Sequence, residues 1–166
     1  MRITFRLKSI LLLILITISF IVNGQGTIKK FDYINLKLAY NYGRTQEIDI
    51  GLSSTKNTDA SIFQDQFYYG PFLRVGYNWG KSNLFITKIG YEYSGFLMLF
   101  LGRVNLNNYT DFKENQITIK PEIGLTAIGL LTVTYGYNFS LTKNDPFGLN
   151  GHYIGVDIHL KIKKLK

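Results

Sequence analysis

The segment 117–139, ITIKPEIGLTAIGLLTVTYGYNF, alternates with period two on both sides of a short turn at Ala127–Leu130. Ile117, Ile119, Pro121, Ile123 and Leu125 share one face of its first half; Leu131, Val133, Tyr135, Tyr137 and Phe139 share one face of its second. Successive side chains of a strand point to opposite faces, so the segment predicts two strands with one apolar and one polar face. The polar face carries Gln116, Thr118, Lys120, Glu122, Gly124 and Thr126, then Thr132, Thr134, Gly136, Asn138 and Ser140, with only Lys120 and Glu122 charged. A sheet surface in water carries more Lys and Glu than this. Small polar groups suit a narrow enclosed interior, which leaves the apolar face for lipid.

The pattern recurs along the chain. Strands are expected over Tyr33–Gly43, Gln46–Ser53, Phe67–Trp79, Leu84–Ser94, Phe96–Leu106 and His152–Ile162. With the hairpin they make eight, each about the ten residues that a tilted strand needs to cross a bilayer. The fold class is then all-β, an antiparallel up-and-down transmembrane β-barrel of about eight strands, the smallest even number among bacterial barrels. Such an interior is just filled by side chains. In the segment 67–79, aromatic residues stand at both ends of the apolar face and aliphatic ones in the middle. Phe67 and Trp79 are separated by roughly 30 Å along the axis after a ~40° tilt, and Tyr69 and Tyr77 by roughly 20 Å; these values bracket the ~25 Å apolar band of membrane barrels. Phe67, Tyr69, Tyr77, Trp79, Tyr91, Tyr93, Tyr135, Tyr137 and Phe139 are accordingly candidate aromatic girdles. Pro71 and Pro121 each remove a ladder donor, which predicts bulges there.

Residues 1–24 read as a signal peptide, and 25–166 as a single barrel domain. Arg2, Arg6 and Lys8 precede a mostly apolar run at 10–22, and Val22 and Gly24 occupy the small-residue positions before a cut at Gln25. A run of that length falls short of the roughly 20 residues of a membrane-spanning helix. The chain has no Cys, so disulfides and thiol chemistry are excluded. Removing the three cationic residues of the leader leaves 16 Lys and Arg against 11 Asp and Glu, a net charge of +5. Lys161, Lys163, Lys164 and Lys166 crowd one end of it. Export and the lack of a recognition motif argue against nucleic acid as a partner.

The leader, the alternating strands and the aromatic edges resemble the small outer-membrane β-barrels of Gram-negative bacteria. Gly136-Tyr-Asn-Phe139 and Gly90-Tyr-Glu-Tyr93 are similar to strand ends of Bacteroidota barrels of uncharacterised function. The resemblance covers Tyr33–Ile162 and implies location in the bacterial outer membrane, with lipid as the surrounding partner. Two features depart from the pattern. The chain ends Lys-Ile-Lys-Lys-Leu-Lys where such barrels finish on an aromatic residue, and its longest connection, Ser54–Gln66, is the second.

Parity puts Lys37, Asp49, Arg74, Lys88, Glu92, Arg103, Lys120, Glu122, Asp157, His159 and Lys161 on the inward face, with Glu47 nearer the rim. Unpaired charges in a narrow interior are costly, so these form a candidate interior charge network. Lys120 and Glu122 are within reach of each other, and Arg74, Lys88 and Glu92 are expected to form one cluster. The functional expectation is a filled barrel, not an open pore, monomeric, acting structurally or through the loops Ser54–Gln66, Asn107–Asn115 and Leu141–Gly151. Two alternatives stay open: a barrel that transports small solutes or lipids, or modifies lipids, and a soluble lipocalin-like periplasmic carrier. His152, His159 and Ser140 are the residues from which a hydrolytic site would be built, but parity brings only His152 near Ser140. No catalytic, cofactor-binding or metal site is expected from any motif.

Overall fold

A computed structural model describes residues 31–57, 68–80, 83–95, 99–127, 130–143 and 145–165. The expected leader at 1–24, and Phe67, lie outside them. The described chain contains eight strands: β1 (Tyr33–Gly43), β2 (Gln46–Asn57), β3 (Tyr68–Trp79), β4 (Leu84–Gly95), β5 (Phe100–Thr110), β6 (Asn115–Ala127), β7 (Leu131–Ser140) and β8 (Gly151–Lys164). Each pairs antiparallel with its sequence neighbours, and β1 pairs with β8, so the sheet is a closed up-and-down barrel with no free edge.

The connections at 44–45, 80–83, 111–114 and 141–150 lie at one end, called upper here. The connections at 58–67, 96–99 and 128–130 lie at the other, lower end, where β1 begins and β8 finishes. The loop expected at Ser54–Gln66 lies mostly outside the described residues, and the strand ends that flank it, Asn57 and Tyr68, are at the opposite end from 111–114.

Strand boundaries differ from the expectation where polar residues were read as loop. β5 is displaced to Phe100–Thr110, β2 continues to Asn57, and only 111–114 remains of the loop expected at Asn107–Asn115. The cause is the polar interior. Asn107 and Tyr109 face inward and Leu106, Asn108 and Thr110 face outward, so alternation continues through a stretch that looks like loop by composition. The turn itself is shaped by Asp111, whose carboxylate accepts from the amides of Lys113 and Glu114 at 2.9 and 2.7 Å.

No bulge occurs at either strand proline. Register is the same on both sides of Pro71, with Ser53 opposite Phe72 and Lys56 opposite Tyr69, and of Pro121, with Ile119 opposite Phe139 and Glu122 opposite Gly136. A missing donor interrupts a ladder without inserting a residue. The register shift falls instead between β1 and β8, where Asn35 pairs with Lys161 but Ile34 pairs with Lys163, leaving Ile162 as the extra residue.

Candidate functional site

The barrel is inverted relative to a water-soluble protein. Its outer surface is aliphatic and aromatic: Leu52, Leu73, Ile123, Leu125 and Ile154 are among the exposed side chains, Ile123 at 69%. Its interior holds charges: Lys37, Glu47, Lys88, Glu92, Lys120 and Asp157 are 0% exposed, and Asp49, Arg74, Arg103 and Glu122 are buried with them.

Each charge is positioned by the inward parity of its strand, and the strands' stagger decides which charges meet. Lys37 of β1 reaches across the lumen to Glu92 of β4 in a close ion pair. Lys88 of β4 donates to Glu47 and Asp49 of β2, 2.7 Å from each. Arg74 of β3 lies 2.9 Å from Asp49 and 3.6 Å from Asp157 of β8. Arg103 of β5 makes a close pair with Asp157, a second pair with Glu122 of β6, and lies 4.0 Å from Glu92. Lys120 completes the chain at 3.0 Å from Glu122. The pairs join into one network of five cations (Lys37, Arg74, Lys88, Arg103, Lys120) and five anions (Glu47, Asp49, Glu92, Glu122, Asp157), with no net charge. Neutrality and multiple partners are what let so many ions be held away from water.

Phe72 is at the centre of the cations. Its ring has Lys37 Nζ at 4.9 Å, the Arg74 guanidinium at 4.7 Å and that of Arg103 at 5.7 Å from its centroid. The ring lies across Gly90, its cross-strand partner, where an added Cβ would fall 2.4 Å from Phe72 Cζ. Only glycine leaves room for this ring. Asn105 adds a hydrogen bond to Glu122 at 2.7 Å, and Tyr109 donates to Glu47 at 2.8 Å.

The inward residues depart from the parity reading at several points. Glu47, the second residue of β2 and so nearer the upper rim than Asp49, is nonetheless fully buried and belongs to the network. Lys161 keeps the inward phase, opposite Asn35, but is exposed where β8 leaves the barrel. Arg74 and Lys88 meet at Asp49, but Glu92 does not join them directly and turns instead to Lys37 and Arg103. His159 is buried beside Asp157, with Nε2 3.9 Å from a carboxylate oxygen. Leu84, Ile86 and Phe72 follow the inward parity of Lys88 and Arg74, and so bring apolar side chains onto a face that is otherwise polar.

The upper end is closed by its longest loop. Leu149 is buried with Leu84, Ile86 and Tyr109, and Phe147 packs against them. Asp145 winds the loop, accepting from the amides of Leu149 and Asn150 at 2.8 and 3.2 Å and from the Gln116 side chain. Beneath, Thr45 is bonded to Tyr153 at 3.1 Å and Asn78. A cavity of about 300 Å³ remains at this rim, lined by Arg44, Thr45, Phe147 and Gly148. The lower end is lined by hydroxyls: Ser94, Thr126 and Thr134 are buried with no hydrogen-bond partner among the described residues. Tyr68 meets His159 edge-on at 6.3 Å.

The residues of a hydrolytic site are not brought together. His152 is on the outer face, its Nδ1 2.6 Å from Tyr135 Oη and its ring against Tyr137. Ser140 accepts from Gln116 and donates to the Thr142 carbonyl, both at 3.1 Å. Among the described residues no group of three or more His, Asp or Glu converges as a metal site.

Of the girdle candidates, Tyr69, Tyr91 and Tyr93 are on the outer face toward the lower end, with Tyr69 opposite Tyr93. Tyr77, Trp79, Tyr137 and Phe139 lie toward the upper end, and Tyr135 nearer the middle of β7. Trp79 donates to Gln46 at 3.1 Å and its ring is 6.2 Å from that of Tyr40.

No protein-family model matches the chain, and no curated protein matches it. Among solved structures, a chain described under the de novo design of transmembrane β-barrels is similar, with 18% identity over 79% of this chain and 98% of that one and a TM-score of 0.47.

Proposed function

We propose that the protein is an outer-membrane β-barrel of a Gram-negative bacterium, exported by removal of residues 1–24, whose filled interior fixes its shape and whose loops and rims meet its partners. The observation that carries this reading is the inverted polarity. Apolar side chains cover the outside of a closed sheet, while ten charges pair inside it. Water around that exterior would be unfavourable by roughly 25 cal/mol for each Å² of apolar surface, and lipid removes the cost. The aromatic residues toward both ends fit two interfacial girdles.

The interior argues for a plug. The Lys37–Glu92 and Arg103–Asp157 pairs cross the lumen at its middle, where a conducting barrel would be open. A carrier of apolar ligands needs an aliphatic interior; among the described residues the aliphatic cluster at the upper end is filled by Leu149, and Leu101 stands alone among hydroxyls at the lower end.

The test is fractionation of the tagged protein with N-terminal sequencing, paired with an arginine scan. The protein is expected in the outer membrane beginning near Gln25. Ile123→Arg is expected to lower folding into bilayers by roughly 2–4 kcal/mol, the cost of a cation on a barrel's lipid face near the midplane. Recovery from the periplasm, with Ile123→Arg tolerated, would overturn the reading.

A further inference from the structure

We propose that the lower rim of the barrel is a docking surface for anionic phospholipid headgroups, with Lys161, Lys163 and Lys164 as its phosphate-binding groups. The inference rests on the membrane-spanning reading above and adds a lipid class to it.

β8 is the longest strand, at 14 residues, and its last four, Lys161–Lys164, are all exposed. The bulge at Ile162 sets their directions. Without it Lys163 would keep the inward parity of Asp157 and His159. With it, Lys163 stands opposite Ile34 and takes the outward phase, at the edge of the aliphatic strip formed by Leu160 and Ile162. Lys161 and Lys164 turn the other way and gather at one ring, with their Nζ atoms 4.8 and 6.0 Å from the Tyr33 centroid. Lys56 stands on the neighbouring strand opposite Tyr69. Four lysines thus share this rim with one described acid, Asp32.

Position and chemistry then select the occupant. The ammonium groups stand where the apolar band ends and aromatic residues begin, the level of lipid headgroups. A lysine is a compact, mobile point charge without the planar fork of arginine, which suits the single charge of a phosphodiester in a fluid layer. The upper rim lacks this asymmetry. There Arg44, Lys113 and Lys143 are matched by Asp111, Glu114 and Asp145 among the described residues. The basic rim is therefore a property of one end, not of the outer surface generally.

The experiment folds the full mature chain into vesicles of phosphatidylcholine, alone or mixed with phosphatidylglycerol. Insertion is scored by protease protection and gel mobility, and the lipid retained by the extracted barrel by native mass spectrometry. Phosphatidylglycerol is expected to be enriched over phosphatidylcholine. Removing Lys161, Lys163 and Lys164 by substitution with Gln should cost about fivefold in that preference per lysine. Lys113→Gln with Lys143→Gln should leave it unchanged. Where the triple variant does not insert, the wild-type chain at low and high salt serves instead, and its preference must fall at high salt. Normal insertion without preference, or a preference that survives the triple substitution, would overturn the proposal. Failure of the wild-type chain to insert into either vesicle would instead overturn the membrane reading, and this inference with it.

Discussion

The two ends of the barrel solve the problem of closure differently. At the upper end an apolar residue from a loop, Leu149, drops onto Leu84, Ile86 and Tyr109, and hydrogen bonds to Asp145 and Gln116 fix the loop above it. At the lower end the described lining comes from the strands alone: Ser94, Thr126, Thr132 and Thr134 with His159, Tyr68 and a single leucine, Leu101. Among the described residues the upper rim is charge-balanced and the lower rim is basic. The difference teaches that the interior network does not need its two mouths to be alike. The ion pairs are satisfied from the walls, so each end is free to be built for what lies outside it.

The largest effect is expected where the ends meet. Arg103→Met leaves Glu122 and Asp157 short of their shared partner, and losing one member of a buried pair costs about 3–5 kcal/mol. Urea titration in vesicles should show this, and a loss below about 1 kcal/mol would mean that the network is solvated. Next comes the seal. Leu149→Ala should cost about 2 kcal/mol, the low end for a buried leucine because the loop can partly collapse. The lower end should respond in the opposite way. Thr126→Val replaces a hydroxyl with no described partner by a methyl group of the same shape, and stability should hold or rise by up to about 1 kcal/mol. A matching loss at both sites would erase the contrast between the ends.

The smallest effect is one of pH. Partial burial raises the Asp145 carboxyl, but its bonds from Gln116 and from the Leu149 and Asn150 amides outweigh this, with Arg44 helping, and hold it below the usual carboxylate value. A carboxyl depressed in the folded state stabilises the cap above its unfolded value, near pH 4. That contribution is lost as pH falls through the lower, folded value. The protection of the Leu149 amide, relative to its intrinsic exchange rate at each pH, should therefore fall in acid, and Asp145→Asn should remove that dependence while leaving the lower end unchanged.

Much of this architecture is legible in the chain because a strand's period is two and one face of each strand meets lipid. Alternation alone gives the strand number and the up-and-down order. It fails where the interior breaks its own rule. Asn107 and Tyr109 look like loop because polar runs usually are loop, yet a polar interior makes them strand. Parity puts Phe72 on the inward face with Arg74, and Leu84 and Ile86 in the phase of Lys88, but nothing local tells that the first packs over a glycine and the others beneath a loop. Parity gives Lys161 its face but not its exposure, which follows from its place at the end of the barrel beside the bulge at Ile162. Charges such as Lys120 and Glu122 can be given a face from spacing. Their partners on distant strands cannot, because the meeting of Lys37 with Glu92 depends on closure and stagger.

The central claim is a folded barrel in lipid with an interior closed by its own charges. It is tested most directly by single-channel recording from the refolded protein in a planar bilayer, with insertion confirmed on the same preparation by protease protection. An inserted protein that gives no steady conductance above the bare bilayer is the predicted result. Steady, sizeable channels whose conductance changes with Glu122→Gln or Lys120→Gln would contradict it.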